Sequence, residues 1–330
     1  MGFSRARRSL LTGSMAALLL SAAAPAVLSD RAHAETGKPL QLVATTSMIA
    51  DAVRQVGGSH VQVQALMGPG VDPHLYRQTS SDIAAMSRAD AVFWHGLRLE
   101  AQLIGFLEQL GARRPVFALA DALPEDQLIR DPAYPDQFDP HVWMDPNLWK
   151  GVVVAARDAL TELRPEGKAD FAANAERHLA EIDALDAYAR NGLATVPQSS
   201  RVLVTAHDAF HYFGRAYGYE VLGIQGISTE SEAGLKQIEH LVDVLVERKI
   251  GAIFVETSVS DRNVRALIEG AAAKGHAVTI GGTLFSDAMG KPGTYEGTYI
   301  GMIDHNVTTI TRALGGDAPA RGLNDKLAAL

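Results

Sequence analysis

This chain of 330 residues has eleven histidines and no cysteine, so no thiolate is available to hold a transition metal and imidazole and oxygen donors come to the fore. Two of the histidines close the same tripeptide, Asp72-Pro73-His74 and Asp139-Pro140-His141. Each proline fixes its own φ, lacks a donor and pushes its predecessor toward extended backbone. Both histidines therefore stand on stiff loops rather than inside a helix or a central strand. Such loops suit side chains that must point at something. Two more candidates come from the second half: His207 directly follows the apolar run 202–206, and Asp287 follows a strand over 277–280 through the Gly-rich turn 281–286. In open parallel sheets, ligands bind beyond the carboxyl ends of the strands, where His74, His207 and Asp287 fall.

Successive separations of 67, 66 and 80 residues exclude a local finger-type cluster. Three imidazoles and a carboxylate still make a complete donor set for a first-row divalent ion. Glu256, at another strand end, either competes with Asp287 for the carboxylate place or orients a ligand histidine. His207-Asp208-Ala209-Phe210-His211 imitates the H-E-x-x-H pattern and supplies the alternative reading, a zinc-dependent hydrolase using His207 and His211. Asp replaces Glu there, and His207 abuts a strand end, so the two histidines do not share a helix face; His211 is expected to be an ordinary helix residue. His95 follows a strand and could line a cleft, but a hydrogen-bonded structural role is the simpler expectation. His60, His178, His240, His276 and His305 look exposed and receive no role. Gly290-Lys291-Pro292 is not a phosphate loop, because Phe285 stands where the earlier glycine is needed and proline follows the lysine.

The elements that must position these residues follow from periodicity. Short β-branched runs at 40–45, 61–66, 91–94 and 116–119 alternate with helical patterns such as 47–56 and the run after Ser80 or Ser81, which predicts βα units and parallel sheets. Two helical stretches follow, 147–163 and 168–193, the second about seven turns long. After a boundary at 195–200 the alternation resumes, with strands at 202–206, 220–224, 252–256 and 277–280 and a helix over 233–249. The expected fold is α/β, with four parallel strands in each half and the helix over 168–193 as a strut.

Arg5, Arg7 and Arg8, an apolar run over 10–28 and Ala32-His33-Ala34 read as a cleaved secretory signal over residues 1–34. The Arg7-Arg8 pair also permits the twin-arginine route. The apolar run is short and ends in a cleavage site rather than a charged stop, which argues against an anchor. Without cysteine there is no disulfide and no lipid-accepting thiol, and the mature protein is expected to be soluble and periplasmic. Residues 1–34 hold four arginines and one aspartate, so their removal takes the net charge from −8 to −11. That acidity disfavours nucleic acid as a partner and suits a cation carrier.

On these residues the sequence resembles the metal-binding solute-binding proteins of bacterial ABC transporters. The matching segments include 45–51, 70–76, 139–146, 205–210, 226–229, 252–256 and 284–289, and they span nearly the whole mature chain. The resemblance implies two βα lobes with parallel four-stranded sheets joined by one long rigid helix, divided as 35–163, 164–194 and 195–330. It places His74, His141, His207 and Asp287 at the family's metal ligands. It implies a non-enzymatic, monomeric carrier whose partners are a membrane permease and its ATPase. Dedicated zinc members often carry a His-rich loop where residues 121–136 here are acidic, and dedicated manganese members often have Glu at the place of His207. The chain thus looks most like the group that handles both Mn²⁺ and Zn²⁺. Intrinsic imidazole chemistry favours zinc, whereas uptake selectivity can rest on which ion gives the form that the permease accepts.

Overall fold

In a computed structural model, residues 37–328 are described; the expected signal segment, 1–34, lies outside them. The first half alternates β1 (Leu40–Ala44), α1 (Ser47–Gly57), β2 (Val61–Ala65), α2 (Ser80–Arg88), β3 (Ala91–Trp94), α3 (Ile104–Gly111) and β4 (Val116–Ala118). Two long helices follow, α4 (Pro146–Leu163) and α5 (Lys168–Leu193). The second half runs β5 (Val202–His207), α6 (His211–Tyr217), β6 (Glu220–Gln225), α7 (Leu235–Glu247), β7 (Ala252–Glu256), α8 (Arg262–Ala273), β8 (Thr279–Leu284) and α9 (Tyr299–Ala313).

Every ladder between these strands is parallel. The first sheet has four strands in the order β2-β1-β3-β4. The four second-half strands pair as β5-β6 and β7-β8, with β5 running beside β7. The expected four strands are thus present in the second lobe, divided into two ladders.

Start signals in the sequence fix where the helices begin. Thr46 caps α1 by accepting from the Ile49 N–H, and Asp145 caps α4 by accepting from Asn147 and Leu148, with Pro146 at the first helical position. Helix α5 buries Phe171, Ala175, Ile182, Leu185, Ala189 and Leu193 along one face. That face packs on α1 and α4 from the first lobe and on α9 from the second, so one apolar core continues through both.

Three expectations need correction. Strand β8 lies two residues later than 277–280 and includes Gly281 and Gly282, so the glycine pair belongs to the strand rather than to a turn. Gly281 is the extra residue of a bulge between Ile253 and Phe254 of β7. A Cβ there would come within 2.9 Å of the Phe254 ring and 3.0 Å of Ala313, and one on Gly282 within 2.4 Å of Thr309, so the glycines let α9 lie close on the strand. His60 and His178 are not exposed but buried. His60 Nε2 meets Asp170 at 2.7 Å with its ring edge on Phe171, and His178 sits on the inner face of α5 with Nδ1 3.0 Å from Glu181.

Candidate metal centre

The elements bring His74, His141, His207 and Asp287 to one place. His74 lies on the loop after β2, His141 leads into the short turn Val142–Met144 before α4, His207 is the last residue of β5, and Asp287 follows β8. All four are buried: His141 and His207 completely, Asp287 to 2% exposure and His74 to 4%. Each presents one donor atom, and the four atoms lie within 4.8 Å of one another. Nε2 of His74 is 3.3 Å from Nε2 of His141, which is 3.4 Å from Asp287 Oδ1; Nε2 of His207 is 3.3 Å from Asp287 Oδ2. Tetrahedral zinc with bonds near 2.05 Å spaces its donors about 3.3 Å apart. Three of the separations therefore match the donor spacing of a first coordination shell.

Both tripeptide aspartates shape their loops, each accepting the N–H of its histidine in an Asx turn: Asp72 Oδ1 from His74 at 2.8 Å, Asp139 Oδ1 from His141 at 2.9 Å. Asp139 Oδ1 also lies 2.7 Å from His141 Nδ1, which leaves Nε2 as the outward donor. Glu256 does the same for His207, taking its backbone N–H at 2.9 Å and its Nδ1 at 2.5 Å. Both Glu256 oxygens are thus committed to orienting His207, and Asp287 is the carboxylate in the cluster. Ser258 Oγ steadies Asp287 Oδ2 at 3.1 Å.

Charge is unevenly distributed over the four. Burial holds His74 down to about 3, against the pull of Asp287. Burial also opposes the charged form of His141, but Asp139 and Asp287 outweigh it and push the imidazole up to about 9. His207 is raised well above the ordinary range, Asp287 and Glu256 overcoming its burial. Asp287 in turn stays far below the usual carboxylate range despite burial, because His207 and His141 face it. The surroundings favour net positive charge at the point between the donors.

Other residues resolve as follows. His211 heads α6, while His207 ends β5, so no shared helix face exists and His211 is absent from the convergent set. Nor is it an ordinary helix residue: its Nδ1 is 3.2 Å from Asp139 Oδ2, behind His141. His95 is fully buried and structural, its Nε2 donating to the Pro140 carbonyl at 2.7 Å just before His141. Sequence reasoning missed Trp143 and Tyr212. The Trp143 indole N–H donates to Ser286 O at 2.8 Å, tying the His141 turn to the residue before Asp287. The Tyr212 hydroxyl donates to Asp139 O at 2.8 Å from the other lobe. Trp143 stands two places after His141 and could have been flagged; nothing local marks Tyr212.

Residues 42–313 match the family model described as ZnuA, zinc-uptake complex component A, periplasmic. The chain belongs to the ZnuA family. Among ZnuA relatives, the manganese-binding lipoprotein MntA of Bacillus subtilis is 46% identical across 92% of this chain and 99% of its own length. The zinc-binding protein TroA of Treponema pallidum is also 46% identical, across 85% of this chain and 90% of its own. The solved structure of the periplasmic TroA from that organism matches with a TM-score of 0.81 at 44% identity, covering 84% of this chain and 99% of that one. The ZnuA fold of two α/β lobes and a long helix is the fold found here. These relatives are binding components, not enzymes, and the hydrolase reading falls with the separation of His207 from His211.

Proposed function

We propose that His74, His141, His207 and Asp287 ligate a divalent transition ion, Mn²⁺ or Zn²⁺, and that the protein is the periplasmic solute-binding component of an ABC importer. It hands the ion to a membrane permease worked by a separate ATPase. The observation that carries this reading is a pair of buried atoms, His207 Nε2 and Asp287 Oδ1, that make no hydrogen bond although they face the other donors. His207 Nε2 is within ion-pair distance of Asp287 Oδ2 but lacks hydrogen-bond geometry toward it. Buried polar atoms without partners are costly, and a cation between them removes the cost. Four protein donors with no position kept for a reactive water suit capture rather than hydrolysis. The two relatives of equal identity, one named for manganese and one for zinc, support keeping both ions. Removal of residues 1–34, action as a monomer and a division at 35–163, 164–194 and 195–330 belong to the same proposal.

Calorimetric titration of metal-free protein with Mn²⁺ and with Zn²⁺ tests it. One sub-micromolar, chelator-reversible site per chain is expected, lost in His141→Ala and Asp287→Ala and kept in His211→Ala. A protein that takes up neither ion, or that loses its site only in His211→Ala, overturns the assignment. Restored growth on limiting metal by the parent chain and not by Asp287→Ala tests delivery.

A further inference from the structure

The four donors are not equally supported. His141 has Asp139 behind its ring and His207 has Glu256, but among the described hydrogen bonds no carboxylate meets the ring of His74. Its aim depends on its backbone, through the turn closed by Asp72 Oδ1. The other oxygen of Asp72 is held by the Thr229 hydroxyl at 2.5 Å, and Thr229 belongs to the loop after β6, in the opposite lobe. Thr229 is itself 7% exposed. His74 is also the one donor that lines the cleft of about 550 Å³ between Leu97 and Arg98 on one wall and Gln225, Gly226 and Glu230 on the other. Gln102 Nε2 donates to Glu230 Oε1 at 2.7 Å, a second polar tie from the first lobe to the residue beside Thr229.

We propose that Thr229 is a positioning residue for His74: its hydroxyl fixes Asp72, Asp72 fixes the turn, and the turn aims the imidazole. A second-lobe side chain thereby controls a first-lobe donor without touching the ion. Its release frees the donor with the least support, on the wall of the cleft, so His74 is the first of the four to leave. This rests on the metal-binding reading of the four-residue site.

Stopped-flow release of Zn²⁺ into excess chromophoric chelator tests the inference on the loaded full chain. Thr229→Val removes the hydroxyl at nearly constant shape and is expected to speed release about tenfold, in the range for outer-shell changes, whereas Thr229→Ser stays within about twofold of the parent. The metal-free melting temperatures of the three proteins should agree, which separates positioning from general destabilisation. In an Asp72→Asn background the effect of Thr229→Val should vanish, because the residue it acts through has already been altered. Thr229→Ala replaces the valine variant if the latter does not fold. Release from Thr229→Val as slow as from the parent, or an undiminished effect beside Asp72→Asn, overturns the role of Thr229 alone. A parent chain that takes up no Zn²⁺ overturns the site itself.

Discussion

Asp287 lies between two imidazoles whose far nitrogens already face carboxylates, so in the proposed site protons and a metal would compete for the same two nitrogens. With His141 at about 9 and His207 raised above its ordinary value near 6.5, the metal-free protein carries protons that an incoming cation must displace. The signs for stability and binding are opposite. A raised folded-state value stabilises the metal-free fold fully below about 6.5, and that contribution disappears as pH rises through about 9. At the proposed site, metal affinity should grow over the same interval. The melting temperature of metal-free protein should therefore fall between those pH values while the increment from Zn²⁺ widens; an increment that shrinks would contradict the assignment. Buried His74, held down to about 3, works the other way at low pH, taking stability as pH falls from about 6.5. Calorimetry at pH 7 in buffers of different ionisation enthalpy should register about one to two protons released per ion. Glu256→Gln keeps an acceptor for the His207 backbone but removes the charge behind its ring, and should weaken affinity roughly 10–100-fold with the fold unchanged by circular dichroism. The four gathered residues were legible in the sequence because strand ends and proline-stiffened loops are local signals. The choice between Asp287 and Glu256 was not, since it depends on which strand end faces which histidine.

Helix α5 was legible end to end, because a long run nearly free of glycine and proline has little else to become. Its neighbours were less so. Burial of His178 follows from what α1, α4 and α9 place around the helix, which no single-chain pattern encodes. The two-residue displacement of β8 has the same origin, since β-propensity fades at Gly281 and Gly282 while contact with α9 selects them. If α5 acts as a shared strut, cutting its buried face should affect stability and not binding. Ile182→Ala, at a fully buried position, should cost about 2–5 kcal/mol in denaturant unfolding. Its Zn²⁺ affinity, measured well below the transition, should stay within about twofold of the parent, the outcome for distant sites that share no partner. A large loss of affinity in that variant would mean that the helix transmits strain to the site.

Across the whole molecule, buried ties cross between the lobes close to the site. Trp143 donates to Ser286 O, the Tyr299 hydroxyl donates to Trp143 O at 2.9 Å, its backbone N–H donates to Asp51 at 2.9 Å, and the Met289 N–H donates to Ser47 at 3.1 Å. With these ties and α5 in place, metal removal should loosen loops rather than swing lobes. Hydrogen exchange should rise in segments 66–76, 138–146, 226–234 and 284–290, while the radius of gyration by X-ray scattering changes by less than about 1 Å, as for small shear motions. An expansion of several ångströms would show a hinge that these contacts do not predict. The four candidate donors are divided evenly, two from each lobe, and in the proposed site this would give the bound ion a mechanical role. It would act as a rivet through two plates: the tighter the ion is held, the more firmly the plates are joined, and shifting one against the other would draw the first-lobe pair, His74 ahead of His141, away from the second-lobe pair. A membrane partner that grips both lobes would therefore need no stronger chelator of its own to take the cargo; leverage on the plates would suffice.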